Sequence, residues 1–335
     1  MAGDNIQRQF LKIALLAFAC AFGAPVVAEE CPPLKIISTV RLWATPDERE
    51  VFVPVRLQGR QEYMLLDTGG ALDQVTPQIV AALHLPTYRT PTLRFYDLTG
   101  NYTNAATVVP DFAIGNLIGH DVNFVIMPDD SFGGRGYIAG ILGPGILRYY
   151  DVAIDFGTKT LTLLSQDHCT GRVIYWPAPT VAVIPMQVQK ASGHIVVPVT
   201  LDGRRLNALL DTGAYTTLLN LSAAENDFGL DVRRAGLMPV GRLGGRDNPM
   251  IYRHRFASLS FGGVTVANPM IDVIRDLAER MGPRTVTGTR VPDVQEELPD
   301  LLIGMDILRH LHLYIAYGEQ KLYITPASAP AAAPR

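Results

Sequence analysis

Met64-Leu65-Leu66-Asp67-Thr68-Gly69 decides the fold, because it returns as Ala208-Leu209-Leu210-Asp211-Thr212-Gly213. Each copy is a short apolar run that stops in an acid, a hydroxyl and a glycine. Such a run reads as a buried strand, and the glycine as the turn that ends it. An aspartate at the inner end of a buried strand is costly unless something there uses it. Two of them, in two copies of one unit, point to a pair facing itself across a pseudo-two-fold axis.

The repeat is wider than the triplet. VPVRLQGRQEYMLLDTG (Val53 to Gly69) aligns with VPVTLDGRRLNALLDTG (Val197 to Gly213) without a gap, at a shift of 144 residues. Eleven of the 17 positions are identical, including the surface pairs Gly59/Gly203 and Arg60/Arg204. Downstream, Ile141-Leu142-Gly143 with Ile146-Leu147-Arg148 matches Leu302-Ile303-Gly304 with Ile307-Leu308-Arg309, at a shift of 161. The chain is therefore a duplicated domain with an insertion in its second copy. Two copies are too few for a solenoid, so a two-lobed molecule is expected.

Composition agrees. The chain has 335 residues, 48% hydrophobic and 18% charged, with a net charge of −3. That suits two globular domains with a large core. It gives no basic surface for a nucleic-acid partner, and no zinc-like cysteine spacing is present. Arg8 and Lys12 precede the apolar run Ile13 to Phe22, and Val26-Val27-Ala28 offers small residues for cleavage. Residues 1–28 thus read as a secretory signal, with a mature start at about Glu29 and a periplasmic destination. An uncleaved anchor, or a lipid on Cys20, is the alternative. After cleavage Cys31 and Cys169 remain, one before and one after the first lobe. Export permits a disulfide between them; two free thiols are the other reading.

Taken in order, Lys35 to Trp43, Glu50 to Leu57 and Glu62 to Asp67 read as strands, the last two joined by a tight turn at Gln58-Gly59-Arg60. Thr76 to Leu83 reads as a helix with Thr76 as N-cap and Pro77 in its first turn. Leu93 to Tyr96 and Tyr102 to Val109 form a hairpin. Strands follow at Phe112 to Ile114 and Val122 to Ile126. Ile141 to Gly143, a short helix, and a hairpin over Val152 to Leu164 close the first lobe. Leu218 to Asn226 is expected as the second lobe's helix, and Leu313 to Ile324 as its closing hairpin. The segment Arg275 to Asp300 reads as a surface excursion. The expected divisions are 1–28 signal, 29–168 first lobe, 169–180 linker, 181–326 second lobe and 327–335 an Ala/Pro tail.

Two carboxyls within hydrogen-bond reach share one proton, so one serves as a base and the other as an acid. A water between them can be deprotonated by one while the other polarises a carbonyl. This adds water to an amide without cofactor, metal or covalent intermediate. Thr68 and Thr212 can bond across the axis, while Gly69 and Gly213 bring N–H groups close to the acids.

Hydrophobic-Asp-Thr-Gly, a hairpin, then hydrophobic-hydrophobic-Gly resembles the aspartic proteases. Asp211-Thr212-Gly213-Ala214 is similar to the retropepsin form, and Gly304-Met305-Asp306-Ile307-Leu308 resembles a later motif of retroelement-type and bacterial members. The resemblance implies a mostly β fold of two homologous pepsin-like barrel lobes, each with a short helix. It implies a cleft for an extended polypeptide, covered by flaps at Leu98-Thr99-Gly100-Asn101 and Arg242-Leu243-Gly244-Gly245. The chain is similar to a retropepsin dimer fused into one monomer. It departs at Asp67-Thr68-Gly69-Gly70, where alanine or serine usually fills the fourth place, and at Gly143-Pro144-Gly145. Gly70 supports a second reading, a peptide-binding module with little hydrolysis. Among other polar residues, Asp306 is expected to cap the helix after it. His310 and His312 are expected to be solvated strand residues, and Arg148 and Arg309, at equivalent positions, to make structural contacts.

Overall fold

The computed structural model describes residues 31–70, 72–90, 95–96, 102–128, 132, 135–231, 237–242, 250–276 and 299–329. The signal-like leader, both hairpin tips (98–101 and 243–249) and most of the 275–300 excursion lie outside the described residues. The first half runs β1 (Ile36–Arg41), β2 (Trp43–Ala44), β3 (Val51–Leu57), β4 (Arg60–Leu66), β5 (Gln74–Val75), α1 (Pro77–Ala82), β6 (Thr87–Arg89), β7 (Phe95–Tyr96), β8 (Tyr102–Thr103), β9 (Ala105–Ile114), β10 (Leu117–Ile126), β11 (Gly140–Leu142), α2 (Pro144–Leu147), β12 (Asp151–Asp155) and β13 (Thr160–Leu164). The second runs β14 (Ala182–Pro185), β15 (Gln187–Val188), β16 (Ile195–Leu201), β17 (Arg204–Leu210), β18 (Leu218–Asn220), α3 (Leu221–Phe228), β19 (Met238–Arg242), β20 (Met250–Arg255), β21 (Ser258–Phe261), β22 (Val264–Ala267), β23 (Met270–Ile274), β24 (Leu301–Ile303), α4 (Met305–Leu308), β25 (Leu311–Ala316) and β26 (Lys321–Pro326).

The protein is mostly β. The repeated turn explains part of the repeated sequence. Gln58 and Gly59 have φ of 50° and 79°, and Asp202 and Gly203 have 43° and 81°. Two consecutive positive φ values mark the two-residue hairpin whose twist matches its strands, and glycine takes the second at little cost. Leu57 then faces Arg60, and Leu201 faces Arg204. In each half the strand that leads into the aspartate becomes a central one. β4 pairs in parallel with β11, and β17 with β24. β5 and β18 then add antiparallel to β11 and β24, and lie parallel to β10 and β23. Strands flanked on both sides should read as continuous apolar runs. Accordingly Met64, Leu66, Leu142, Ala208 and Ile303 have no exposed surface, and Leu210 has 1%. In the first half β3 also pairs with β9, which closes β3-β4-β11-β5-β10-β9 into a six-stranded barrel.

Several expectations are corrected. The hairpins β12–β13 and β25–β26 form as expected but do not stay within their own halves. They meet along β12 and β25 in one six-stranded sheet, ordered β1-β13-β12-β25-β26-β14, with Ala153 opposite Tyr314. Strands from both halves thus share one hydrogen-bonded ladder. Phe112 to Ile114 and Val122 to Ile126 belong to a longer hairpin, β9–β10, turning at Gly115 (φ 55°). Leu218 to Asn220 is strand, and the helix starts only at Leu221. The helix at Pro77 is as read, with the Thr76 hydroxyl accepting from the Ile79 N–H. His312 is buried, 4% exposed, and stacks on Trp176 with ring centroids 4.1 Å apart. Arg148 and Arg309 do make equivalent contacts. Arg148 donates to the Lys190 carbonyl, and Arg309 to that of Asp47, so each reaches from the end of its own short helix into the other half. Cys31 and Cys169 are joined in a disulfide.

Candidate active site

Asp67 and Asp211 emerge where the parallel pairing of β4 and β17 ends. The Asp67 N–H donates to the Leu142 carbonyl at 2.9 Å, and the Asp211 N–H to that of Ile303 at 3.0 Å. Each aspartate is thus fixed by the last residue of the neighbouring strand. The loops that follow are tied to one another. The Thr68 hydroxyl donates to the Leu210 carbonyl, and the Thr212 hydroxyl to that of Leu66, both at 2.8 Å. Each hydroxyl also accepts from the backbone N–H of the other threonine, at 3.1 and 3.0 Å. Both threonines are 1% exposed. Water is excluded from this square of four bonds, and every partner in it is a group that could not be left unpaired without cost.

The glycines set the spacing. A Cβ on Gly69 would overlap the Asp211 carboxyl, and one on Gly213 would overlap that of Asp67. Each loop therefore lies against the acid of the opposite copy, which only a residue without a side chain allows. Asp67 Oδ1 accepts from the N–H groups of Gly69 (3.0 Å) and Gly70 (2.7 Å), and Asp211 Oδ1 from those of Gly213 (2.8 Å) and Ala214 (3.1 Å). Gly70 and Ala214 hold their acids alike. Gly70 differs in lacking a Cβ, which would come within 2.9 Å of Asp67 Oδ2.

The two carboxyls are hydrogen-bonded to each other. Burial raises the pKa of Asp67, while the bond from Asp211 and the N–H groups of Gly70 and Gly69 pull it back. Asp211 is pushed well above the usual carboxylate range, first by burial, then by the neighbouring negative charge of Asp67 and their shared hydrogen bond. Both members are thus raised, chiefly by burial, and the titration belongs to the pair rather than to either acid.

Of the other residues singled out from sequence, Arg242 is exposed at the end of β19. Leu98, Thr99, Gly100, Asn101, Leu243, Gly244 and Gly245 lie outside the described residues, although the arms β7–β8 and β19–β20 do pair as hairpins. Asp306 does not cap its own helix. Gly304 is the N-cap, and Asp306 Oδ1 instead accepts from the N–H (2.9 Å) and hydroxyl (2.8 Å) of Thr217. Asp73, unremarked in the sequence, is 6% exposed and accepts from the Gly143 N–H at 2.8 Å. Among the described residues no group of three or more His, Cys, Asp or Glu side chains is placed to hold a metal ion.

A model of the aspartyl protease family matches residues 53–145 and 197–307, which is more than half the chain. The chain belongs to the aspartyl protease family. The matched segments of this aspartyl protease contain Asp67-Thr68-Gly69 with Ile141-Leu142-Gly143, and Asp211-Thr212-Gly213 with Leu302-Ile303-Gly304. No curated protein sequence matches the chain. Among solved structures it is similar to the aspartic proteinase from Irpex lacteus, at 14% identity and a TM-score of 0.48, covering 88% of this chain and 99% of that one. No helix among the described residues is long and apolar enough to cross a membrane.

Proposed function

We propose that this aspartyl protease cleaves internal peptide bonds of an extended polypeptide, with Asp67 and Asp211 as its catalytic residues. The observation that carries the reading is the reciprocal clamp. Two aspartates from two copies are held carboxyl to carboxyl by threonines that bond across the axis and by glycines pressed against the opposite acid. A structural aspartate needs one satisfied site, whereas burying two acids together costs stability unless their shared proton is used.

In the reaction, a water bound between the carboxyls gives a proton to Asp67 as its oxygen attacks the peptide carbonyl carbon. Asp211 gives its proton to the carbonyl oxygen, which leaves a neutral tetrahedral diol. Collapse returns one hydroxyl proton to Asp211. The proton on Asp67 passes to the departing nitrogen as the C–N bond breaks, so the pair ends in its starting state with one proton between its members. The hairpins around 98–101 and 242–245 are read as flaps over the substrate.

The halves are read as lobes 29–168 and 181–326, joined by the 169–180 linker and working as a monomer. Residues 1–28 are read as an export signal and 327–335 as a tail. The disulfide supports a non-cytoplasmic, periplasmic destination. A peptide library incubated with the wild-type protein and with Asp67→Asn and Asp211→Asn tests the function. Cleavage by the wild type should fall by at least about a hundredfold in each variant. Undiminished cleavage in either would remove that aspartate from the mechanism.

A further inference from the structure

We infer that Asp73 is a positioning residue for the first catalytic loop, and that it does from one side of a contact what Asp306 does from the other side in the second half. This rests on the peptidase reading above.

The two repeat shifts make the comparison. At a shift of 144 Asp73 aligns with Thr217, and at a shift of 161 Gly143 and Gly145 align with Gly304 and Asp306. In the second half the carboxylate stands on the short helix. Asp306 accepts twice from Thr217, and the Thr217 hydroxyl in turn accepts from the Gly304 N–H at 3.2 Å. In the first half the carboxylate stands on the strand leading away from the catalytic loop. Asp73 takes the Gly143 N–H directly, at 2.8 Å. Gly145, the counterpart of Asp306, has no side chain, and a Cβ there would overlap Asp73 Oδ2. One carboxylate thus fills the same gap in both halves, entering from opposite walls, with a small residue facing it each time.

The first half needs this tie more than the second. In the second half the Met305 N–H donates to the Ala214 carbonyl at 2.9 Å, binding the helix start to the catalytic loop. The counterpart of Met305 is Pro144, which has no N–H to give. Without that bond, Asp73 is what holds the Gly143 turn. That turn closes on the catalytic loop, since a Cβ on Gly143 would come within 3.2 Å of the Leu72 carbonyl and 3.4 Å of that of Asp67. The next residue back, Leu142, carries the carbonyl that receives the Asp67 N–H. The groups that act on Asp73 agree with a buried, loop-bound carboxyl. Burial raises its pKa to about 7, against the Gly143 and Ile146 N–H groups and the Arg148 guanidinium, while the Tyr317 phenol lies within electrostatic range.

The test transplants the carboxylate. Asp73→Thr alone should lower kcat at least tenfold with KM within about twofold, because the acid is displaced rather than the cleft. The double variant Asp73→Thr/Gly145→Asp rebuilds the second half's arrangement and should recover kcat to within about threefold of wild type. A folded double variant as slow as Asp73→Thr, or an Asp73→Thr variant with unchanged kcat, overturns the assignment. If Asp73→Thr does not fold, the double variant must fold and cleave; if it too stays unfolded, the assignment fails. A wild-type protein that cleaves no peptide refutes the peptidase reading by itself. The swap is then scored on Tm, which the single change must lower and the double change restore, and failure to restore it overturns the pairing.

Discussion

Replacing Thr68 by valine tests the clamp with almost no change in shape. The hydroxyl it removes makes two buried bonds, donating to the Leu210 carbonyl and accepting from the Thr212 N–H. Thr68 is 1% exposed, so no water can substitute. Each stranded group costs about 1–3 kcal/mol, so the change should destabilise by about 2–6 kcal/mol. Valine fills about the same volume, and no cavity penalty adds to this. At about 2 °C per kcal/mol for a chain of this size, Tm should fall by roughly 4–12 °C. Thr212→Val should match it, because its two bonds are the mirror pair. The control is Thr68→Ser, which keeps the hydroxyl and should lose only about 1 kcal/mol of methyl burial. The assay is thermal unfolding together with kcat on one peptide, and both should drop for valine and hold for serine. A valine variant melting within 1 °C of wild type at full kcat would show that the four-bond square holds nothing in place.

The other predictions concern spacing, pH and the disulfide. Gly69→Ala and Gly213→Ala each drive a methyl into the opposite acid, whose Oδ1 is already held by two N–H groups, and kcat should fall by about a hundredfold or more. By contrast Gly59→Ala strains only a positive-φ turn with open space around it, so it should cost about 1–2 kcal/mol and leave kcat alone. Folding stability should fall as pH rises from about 4 towards 7. Burial raises Asp67, Asp211, Asp73, Asp151 and Asp306, so the native state binds more protons than the unfolded chain in that window. Asp73 alone, moved from 3.8 to about 7, contributes up to about 4 kcal/mol to the fall. The lowered carboxyls Asp155 and Glu319 act the other way, losing their contribution as pH drops below 4, which sets the acid side of the optimum. A Tm that climbs steadily from pH 4 to 8 would contradict this sign. Reducing the Cys31–Cys169 disulfide should lower stability by about 2–4 kcal/mol, read as a shift in the urea midpoint.

The parts of the site that repeat were legible in the sequence. Asp67, Asp211 and the threonines beside them stand at equal places in two aligned segments, and chemistry that needs a pair shows as a pair. What the sequence hid was the choice of partner. Residues 152–164 and 313–324 alternate as any hairpin does, and nothing in that alternation tells that β12 meets β25 from the other half. Leu218-Leu219-Asn220 fits a helix start and a short strand equally well; its pairing with β23 and β24 decides for strand. Asp306 misled for a related reason. An acid at a helix start is normally a cap, but this one turns to Thr217 because Gly304 already occupies the N-cap position. His312 sits beside the exposed His310, yet the stacked ring of Trp176 covers it, a contact made across 136 residues. Asp73 is legible only when both shifts are read together, which set Asp73 against Thr217 and Gly145 against Asp306.

The ladder shared by β12 and β25 also bears on how such a site can change over time. Where two identical subunits supply one acid each, every mutation lands on both sides of the axis at once. Here the acids come from one continuous polypeptide, so each side can be rewritten separately. A carboxylate that crosses from one wall to the other in one half only, as Asp73 and Asp306 record, is a divergence open to a gene that holds both copies and closed to one that holds a single copy.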